Sequence, residues 1–231
     1  MSERQPQAAA PGSESYYLAT PESGKGRPVL VLHVWWGLNP FFKQFCDRLA
    51  SEGFVVLAPD LFYGMVATTI AEAEKISSRF EEDRAAQDRL AKRIKQAAEL
   101  LQIIGGPDER EIGVVAFSFG GWWTMWLANQ KDNPVAAAVL FYAAGQGDFA
   151  NSHAAFQFHR AENDPYEPPA NFDQVRRDLE AASKSAEFYT YPGTTHWFFE
   201  SDRPDAYNAE AANLAWQRTV EFLKAHVPSS K

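Results

Sequence analysis

One cysteine in 231 residues excludes any disulfide within the chain. Cys46 shares i, i+3, i+4, i+7 spacing with Phe42, Phe45 and Leu49, the stripe that a helix turns toward a core. Positive charge is in deficit: 22 Lys and Arg stand against 30 Asp and Glu, a net charge of −8. Such a surface repels phosphate backbones and anionic lipid headgroups, so neither nucleic acid nor a membrane is expected as a partner. No apolar run approaches the roughly 18 residues of a membrane span. Residues 1–15 are polar and lack an apolar signal core, and read as a disordered leader on a cytoplasmic protein. Internal repeats, a second-domain linker and an insertion long enough for a large lid are also missing. His153 and His159 lie six apart with no cysteine nearby, which argues against zinc. No metal or cofactor is expected.

What remains is a chain that is 45% hydrophobic, with an expected single domain over 16–231. Strand-like and helix-like stretches alternate. Strands are expected at Tyr16–Thr20, Pro28–Val34, Phe54–Pro59, Ile112–Phe117, Val135–Phe141, Ala155–His159 and Glu187–Tyr191. Helices are expected at Asn39–Glu52, with Gly53 as the stop, then at Gly121–Lys131, Asn171–Ser185 and Ala206–His226. Thr69–Ile104 is helical in period but broken near Arg79–Arg84, and Gly105-Gly106-Pro107-Asp108 reads as a turn. This alternation predicts an α/β fold: a mostly parallel sheet, helices on both faces, and the site in loops after strand C-termini.

Ala116-Phe117-Ser118-Phe119-Gly120 stands where a strand gives way to a helix. A serine on such a turn is a nucleophile elbow. The turn crowds the backbone two residues either side, where Ala116 and Gly120 are small. It also aims the following N–H at the space where an oxyanion would form. A neutral hydroxyl is a poor nucleophile and needs a base, which an acid must orient. In α/β-hydrolases the chain order is serine, acid, histidine. His33 and His153 come too early, His159 precedes the acidic loop, and His226 sits at the C-terminus. His196 follows the last strand in Tyr191-Pro192-Gly193-Thr194-Thr195-His196 and has the right place. For the acid, Asp164, Glu162 and Asp148 all remain open on position alone.

With these residues in view, the chain resembles the dienelactone hydrolase family of α/β-hydrolases over roughly residues 16–226. The likeness rests on Trp36-Gly37-Leu38-Asn39, Ala58-Pro59-Asp60-Leu61-Phe62-Tyr63-Gly64 and Phe117-Ser118-Phe119-Gly120-Gly121. Glu162-Asn163-Asp164-Pro165-Tyr166, the loop ending in His196, and Arg203-Pro204-Asp205-Ala206-Tyr207 extend it. The resemblance implies Ser118 as nucleophile, Asp164 as orienting acid and His196 as general base. It implies backbone N–H groups of Trp35 and Phe119 as the oxyanion hole. Three positions depart from the namesake enzymes. Their elbow cysteine is Ser118 here, their first-loop glutamate is Val34, and an arginine four residues after the histidine is Glu200. A carboxylate at 200 would repel an anionic substrate if it faced the pocket.

Seven tryptophans are many for this length. Trp36, Phe62, Tyr63, Trp197 and Phe198 flank the expected loops and are candidate pocket walls. Trp122, Trp123 and Trp126 follow the elbow. Glu200 and Asp202 read as a solvated acidic face. The expected activity is hydrolysis of a small-molecule ester or lactone through an acyl-enzyme, with neutral aryl or alkyl esters favoured. A ligand-binding relative without catalysis and an acyltransferase are the alternatives. Monomer and homodimer are both compatible with the sequence.

Overall fold

A computed structural model describes residues 16–105 and 111–228. The expected leader, 1–15, lies outside the described residues, as do positions 106–108 of the expected turn. The strands are β1 (Tyr16–Ala19), β2 (Arg27–Leu32), β3 (Phe54–Pro59), β4 (Ile112–Phe117), β5 (Val135–Phe141), β6 (Ala155–Asn163) and β7 (Ala186–Thr195). The helices are α1 (Pro40–Ser51), α2 (Ile70–Glu82), α3 (Arg84–Gly105), α4 (Phe119–Ala128), α5 (Pro169–Ala181) and α6 (Ala209–His226).

One seven-stranded sheet runs in the order β1-β3-β2-β4-β5-β6-β7. Only β1 is antiparallel to its neighbour, pairing Tyr17 with Ala58; the other pairings are parallel. Parallel strands need crossovers, and the helices that supply them cover both faces. Alternate residues of one strand therefore enter different cores. Val29, Val31, Val115 and Val139 pack with Cys46 and Leu49 of α1 and Leu223 of α6. Leu30, Leu32, Val114 and Leu140 pack with Ile94 of α3, Leu127 of α4 and Val175 of α5.

Local signals set the helix ends. Asn39 accepts from the Phe42 N–H and Pro40 occupies the first helical position, which starts α1. Gly53, at φ 94°, releases the chain into β3. Thr69 and Glu72 form a reciprocal capping box on α2. The helical stretch after Thr69 breaks at Asp83, inside the charged cluster that the sequence marked.

Because β2 to β7 run the same way, their C-terminal ends lie on one edge of the sheet. That edge carries the loops holding Trp35, Ser118, Tyr142, Asp164 and His196. Strain gathers there. Ser118, Tyr142 and Trp197, each just past a strand, have φ of 44°, 39° and 67°. L-residues with side chains rarely adopt such values, and they persist only where surrounding contacts impose them.

Candidate active site

The elbow is fixed from both sides. The Ser118 N–H donates to the Phe141 carbonyl at 2.9 Å, and the Ser118 carbonyl accepts from Gly121 N at 2.8 Å. Gly120 allows α4 to approach β2. A Cβ there would lie 2.5 Å from the Leu32 carbonyl oxygen, too close for real atoms. These contacts hold Ser118 at φ 44°, ψ −110°.

His196 Nε2 lies 3.0 Å from Ser118 Oγ, and its Nδ1 lies 2.8 Å from each Asp164 oxygen. The carboxylate makes Nδ1 the donor, so Nε2 is left to accept the serine proton. Both side chains of the His196–Asp164 pair are almost wholly buried, at 3% and 2% exposed. Asp164 Oδ1 also accepts from the backbone N–H groups of Tyr166 and Glu167, at 2.9 Å each. The turn after β6 thus clamps the acid that orients the imidazole.

The rival acids do other work. Glu162 accepts from Gly193 N at 2.9 Å and so ties down the loop that carries His196. Asp148 is exposed and binds Asn129 and the Ala150 N–H. The remaining histidines are apart from Ser118. His159 is fully buried and bonds Tyr191 Oη and Gln157. His153 faces Glu111 on the surface, and His226 packs on Phe222.

His33 serves the first loop. Its Nδ1 is 2.7 Å from the Val34 carbonyl and its Nε2 accepts from Leu61 N at 3.0 Å. Burial lowers its pKa to about 4, so the ring is neutral and can fill both roles. Val34 and Trp35 follow directly. The N–H groups of Trp35 and Phe119 donate to no turn or loop carbonyl among the described residues. Phe119 is the first residue of α4, where an N–H has no helical acceptor.

A cleft of about 410 Å³ opens beside Ser118. Phe119, Trp122 and Trp123 of α4 line it together with Phe80 of α2 and Gln87 of α3. Ala143 and Ala144 after β5 and Glu167 after β6 complete it. The expected wall residues are elsewhere. Trp36, Phe62 and Phe198 are at most 2% exposed and fill the two cores. Tyr63 lies under the Arg93 guanidinium and lines a neighbouring groove. Trp197 is buried, with its ring edge-on to His196 at 5.0 Å, and joins Trp35 and Tyr166 in an aromatic packet. Being next to a loop in sequence did not decide orientation, because apolar rings turn inward wherever a core can take them. Trp122 is the exception: it is 55% exposed and stands in the cleft.

Glu200 is neither on a solvated face nor among the residues lining the cleft. It is fully buried, and Tyr142 Oη donates to it. Burial pushes its carboxyl up to about 8, with Asp202 adding to the rise and the Tyr142 bond and Arg203 opposing it. Asp202, by contrast, is exposed and accepts from Asn39. Burial, and then Glu200, raise the Tyr142 hydroxyl well above the ordinary tyrosine value. Among the described residues, no group of three or more His, Cys, Asp or Glu is placed to hold a metal, and no helix is long and apolar enough to cross a membrane.

An open, mostly parallel sheet with a serine elbow after a central strand is the α/β-hydrolase fold. The family description "Dienelactone hydrolase family" matches residues 15–227. The protein usf of Aquifex pyrophilus is 31% identical over 217 residues, covering 91% of this chain and 93% of its own. The carboxymethylenebutenolidase of Rhodococcus opacus is 24% identical over 239 residues, covering 96% and 90%. A solved dienelactone hydrolase-like promiscuous phosphotriesterase from metagenomic libraries aligns with a TM-score of 0.78 at 21% identity, covering 90% of this chain and 91% of that one. The chain belongs to the dienelactone hydrolase family and is a carboxylic ester hydrolase.

Proposed function

We propose that this enzyme cleaves small carboxylic esters or lactones through an acyl-enzyme on Ser118, and that it favours neutral aryl or alkyl substrates over anionic ones. The observation that carries the reading is the unbroken hydrogen-bond line from Ser118 Oγ through His196 to Asp164. His196 Nε2 takes the hydroxyl proton as Oγ attacks the carbonyl carbon. The resulting oxyanion is held by the N–H groups of Trp35 and Phe119. The imidazolium, stabilised by Asp164, returns the proton to the leaving alkoxide. Water then attacks the acyl-enzyme, with His196 again as base, and the acid is released.

Selectivity against anions is supported by the cleft, whose lining contains no lysine or arginine. A substrate carboxylate would lose hydration there and meet no compensating cation. Carboxymethylenebutenolidase activity, the name carried by the Rhodococcus opacus relative, is for this reason a poor match to the cleft. An acyltransferase would use the same residues with an alcohol in place of water. Competition between an added alcohol and water for the acyl-enzyme separates the two.

The test is hydrolysis of p-nitrophenyl acetate by the protein and by Ser118→Ala. Loss of several orders of magnitude in the variant is expected. Equal rates would remove Ser118 from the chemistry, and an inactive parent would leave a ligand-binding role.

A further inference from the structure

Among the described residues, Glu167 contributes the only charged side chain in the lining of the Ser118 cleft. Its oxygens are already positioned: one accepts from Asn171 Nδ2, the other from Ala144 N at 3.1 Å. A carboxylate oxygen can accept two hydrogen bonds, so each retains accepting capacity beyond these partners. The carboxylate is part-buried; burial, and to a smaller extent the Asp164 charge, raise its pKa, while the Asn171 and Ala144 bonds hold it back. A charge so placed is less screened than one on an open surface. The same lining holds aromatic rings: Trp122 and Trp123, edge to face with centroids 4.9 Å apart, together with Phe119 and Phe80. Ring faces attract cations, and a carboxylate beside them adds a counter-charge. Aromatic walls, one fixed anion and no cation are the chemistry of an ammonium site.

We propose that the cleft selects esters bearing an ammonium group, with Glu167 as the specificity-determining residue and the aromatic wall around Trp122 as its partner. This rests on the serine-hydrolase reading and names the substrate class for it. The purely structural role, in which Glu167 only ties the loop after β5 to α5, predicts no dependence on substrate charge.

The experiment uses three p-nitrophenyl esters with acyl chains of equal length. One ends in trimethylammonium, one in the isosteric tert-butyl group and one in carboxylate. In the parent enzyme kcat/KM should fall in that order, with about a tenfold advantage of the ammonium ester over the neutral one. In Glu167→Gln the ratio of these two should approach one, and the change should appear in KM. Trp122→Ala, an exposed position outside the core, should also lower the ratio. Turnover of the esters without an ammonium preference in the parent enzyme, or with one that survives in Glu167→Gln, would overturn the proposal.

Binding separates this proposal from the hydrolysis reading. The trimethylammonium amide, which resists cleavage, should bind the parent and Ser118→Ala alike and should weaken about tenfold on Glu167→Gln. Should the parent hydrolyse none of the esters yet bind the amide through Glu167, the ammonium site stands and the hydrolase reading falls. Hydrolysis of the neutral ester with Glu167-independent binding of the amide gives the reverse.

Discussion

Tyr142 donates its hydroxyl to Glu200, and its ring lies 4.7 Å from the imidazole of His196. A buried acid therefore sits one side chain behind the proposed base. The native state keeps the Glu200 proton up to about pH 8, whereas the ordinary glutamate value is 4.5. The native state binds more protons between these limits. The associated stability is full below pH 4.5 and is lost as pH rises to 8, on the order of 5 kcal/mol in all. Glu200→Gln keeps an acceptor for Tyr142 and has nothing to ionise. Its urea midpoint should fall less than the parent's between pH 5 and 8.5. Parallel slopes would show that Glu200 does not titrate in this range.

His33 predicts the opposite slope on the acid side. Burial holds its pKa near 4 in the native state against the ordinary 6.5. Its contribution is full above pH 6.5 and is lost as pH falls through 4, roughly 3 kcal/mol. His159, held near 3 by burial, acts in the same direction. His33→Phe should flatten the acid limb. It should also cost about 1–3 kcal/mol at neutral pH by leaving the Leu61 N–H without its acceptor. A variant with the parent's acid slope would remove His33 from this account.

Asp164→Asn separates orientation from folding. An asparagine oxygen can still accept from the Tyr166 and Glu167 N–H groups, so the turn should hold. Its amide nitrogen would face His196 as a donor and favour the wrong tautomer. We expect kcat to fall by about 10⁴ with a melting temperature close to the parent's. Loss within tenfold would mean that His196 is oriented by something else.

Gly120→Ala tests the elbow. The added Cβ meets backbone oxygen 2.5 Å away, which cannot swing aside as a side chain could. The expected result is a loss of about 1–3 kcal/mol in stability, with activity falling further as Ser118 shifts from His196. Parent-like melting and activity would show that α4 can retreat from β2 at little cost.

Much of this architecture is legible in the sequence. Phe54–Pro59 and Ile112–Phe117 are strands at the residues expected, because each is a continuous apolar run with glycine close before or proline at its end. β6 and β7 run beyond their apolar stretches, to Asn163 and Thr195, which pair with one another. Backbone hydrogen bonds continue there under polar side chains, so hydropathy ends before the strand does. α4 starts at Phe119 rather than Gly121, since the elbow passes into the helix without a spacer. Ser118, Asp164 and His196 could be chosen from chain order and family likeness, and the fold brings them within hydrogen-bond reach. The cleft wall could not. Phe80 and Gln87 come from a different stretch of chain, and Glu167 stood close to Asp164 without any periodic signal. Glu200 reads as a surface acid because it stands beside the polar Ser201 and Asp202, and those two are exposed while Glu200 is buried.

The cleft and the reacting residues draw on different parts of the chain. Ser118, Asp164 and His196 ride on strand ends of one sheet, while Phe80 and Gln87 belong to α2 and α3, which carry none of the three. Part of the cleft lining thus comes from chain that carries no reacting residue, while Trp122 and Glu167 stand a few residues from Ser118 and Asp164. The faces of α2 and α3 that carry Phe80 and Gln87 can therefore vary without altering the strand ends that hold the three reacting side chains, so long as the buried faces of the same helices keep their core contacts.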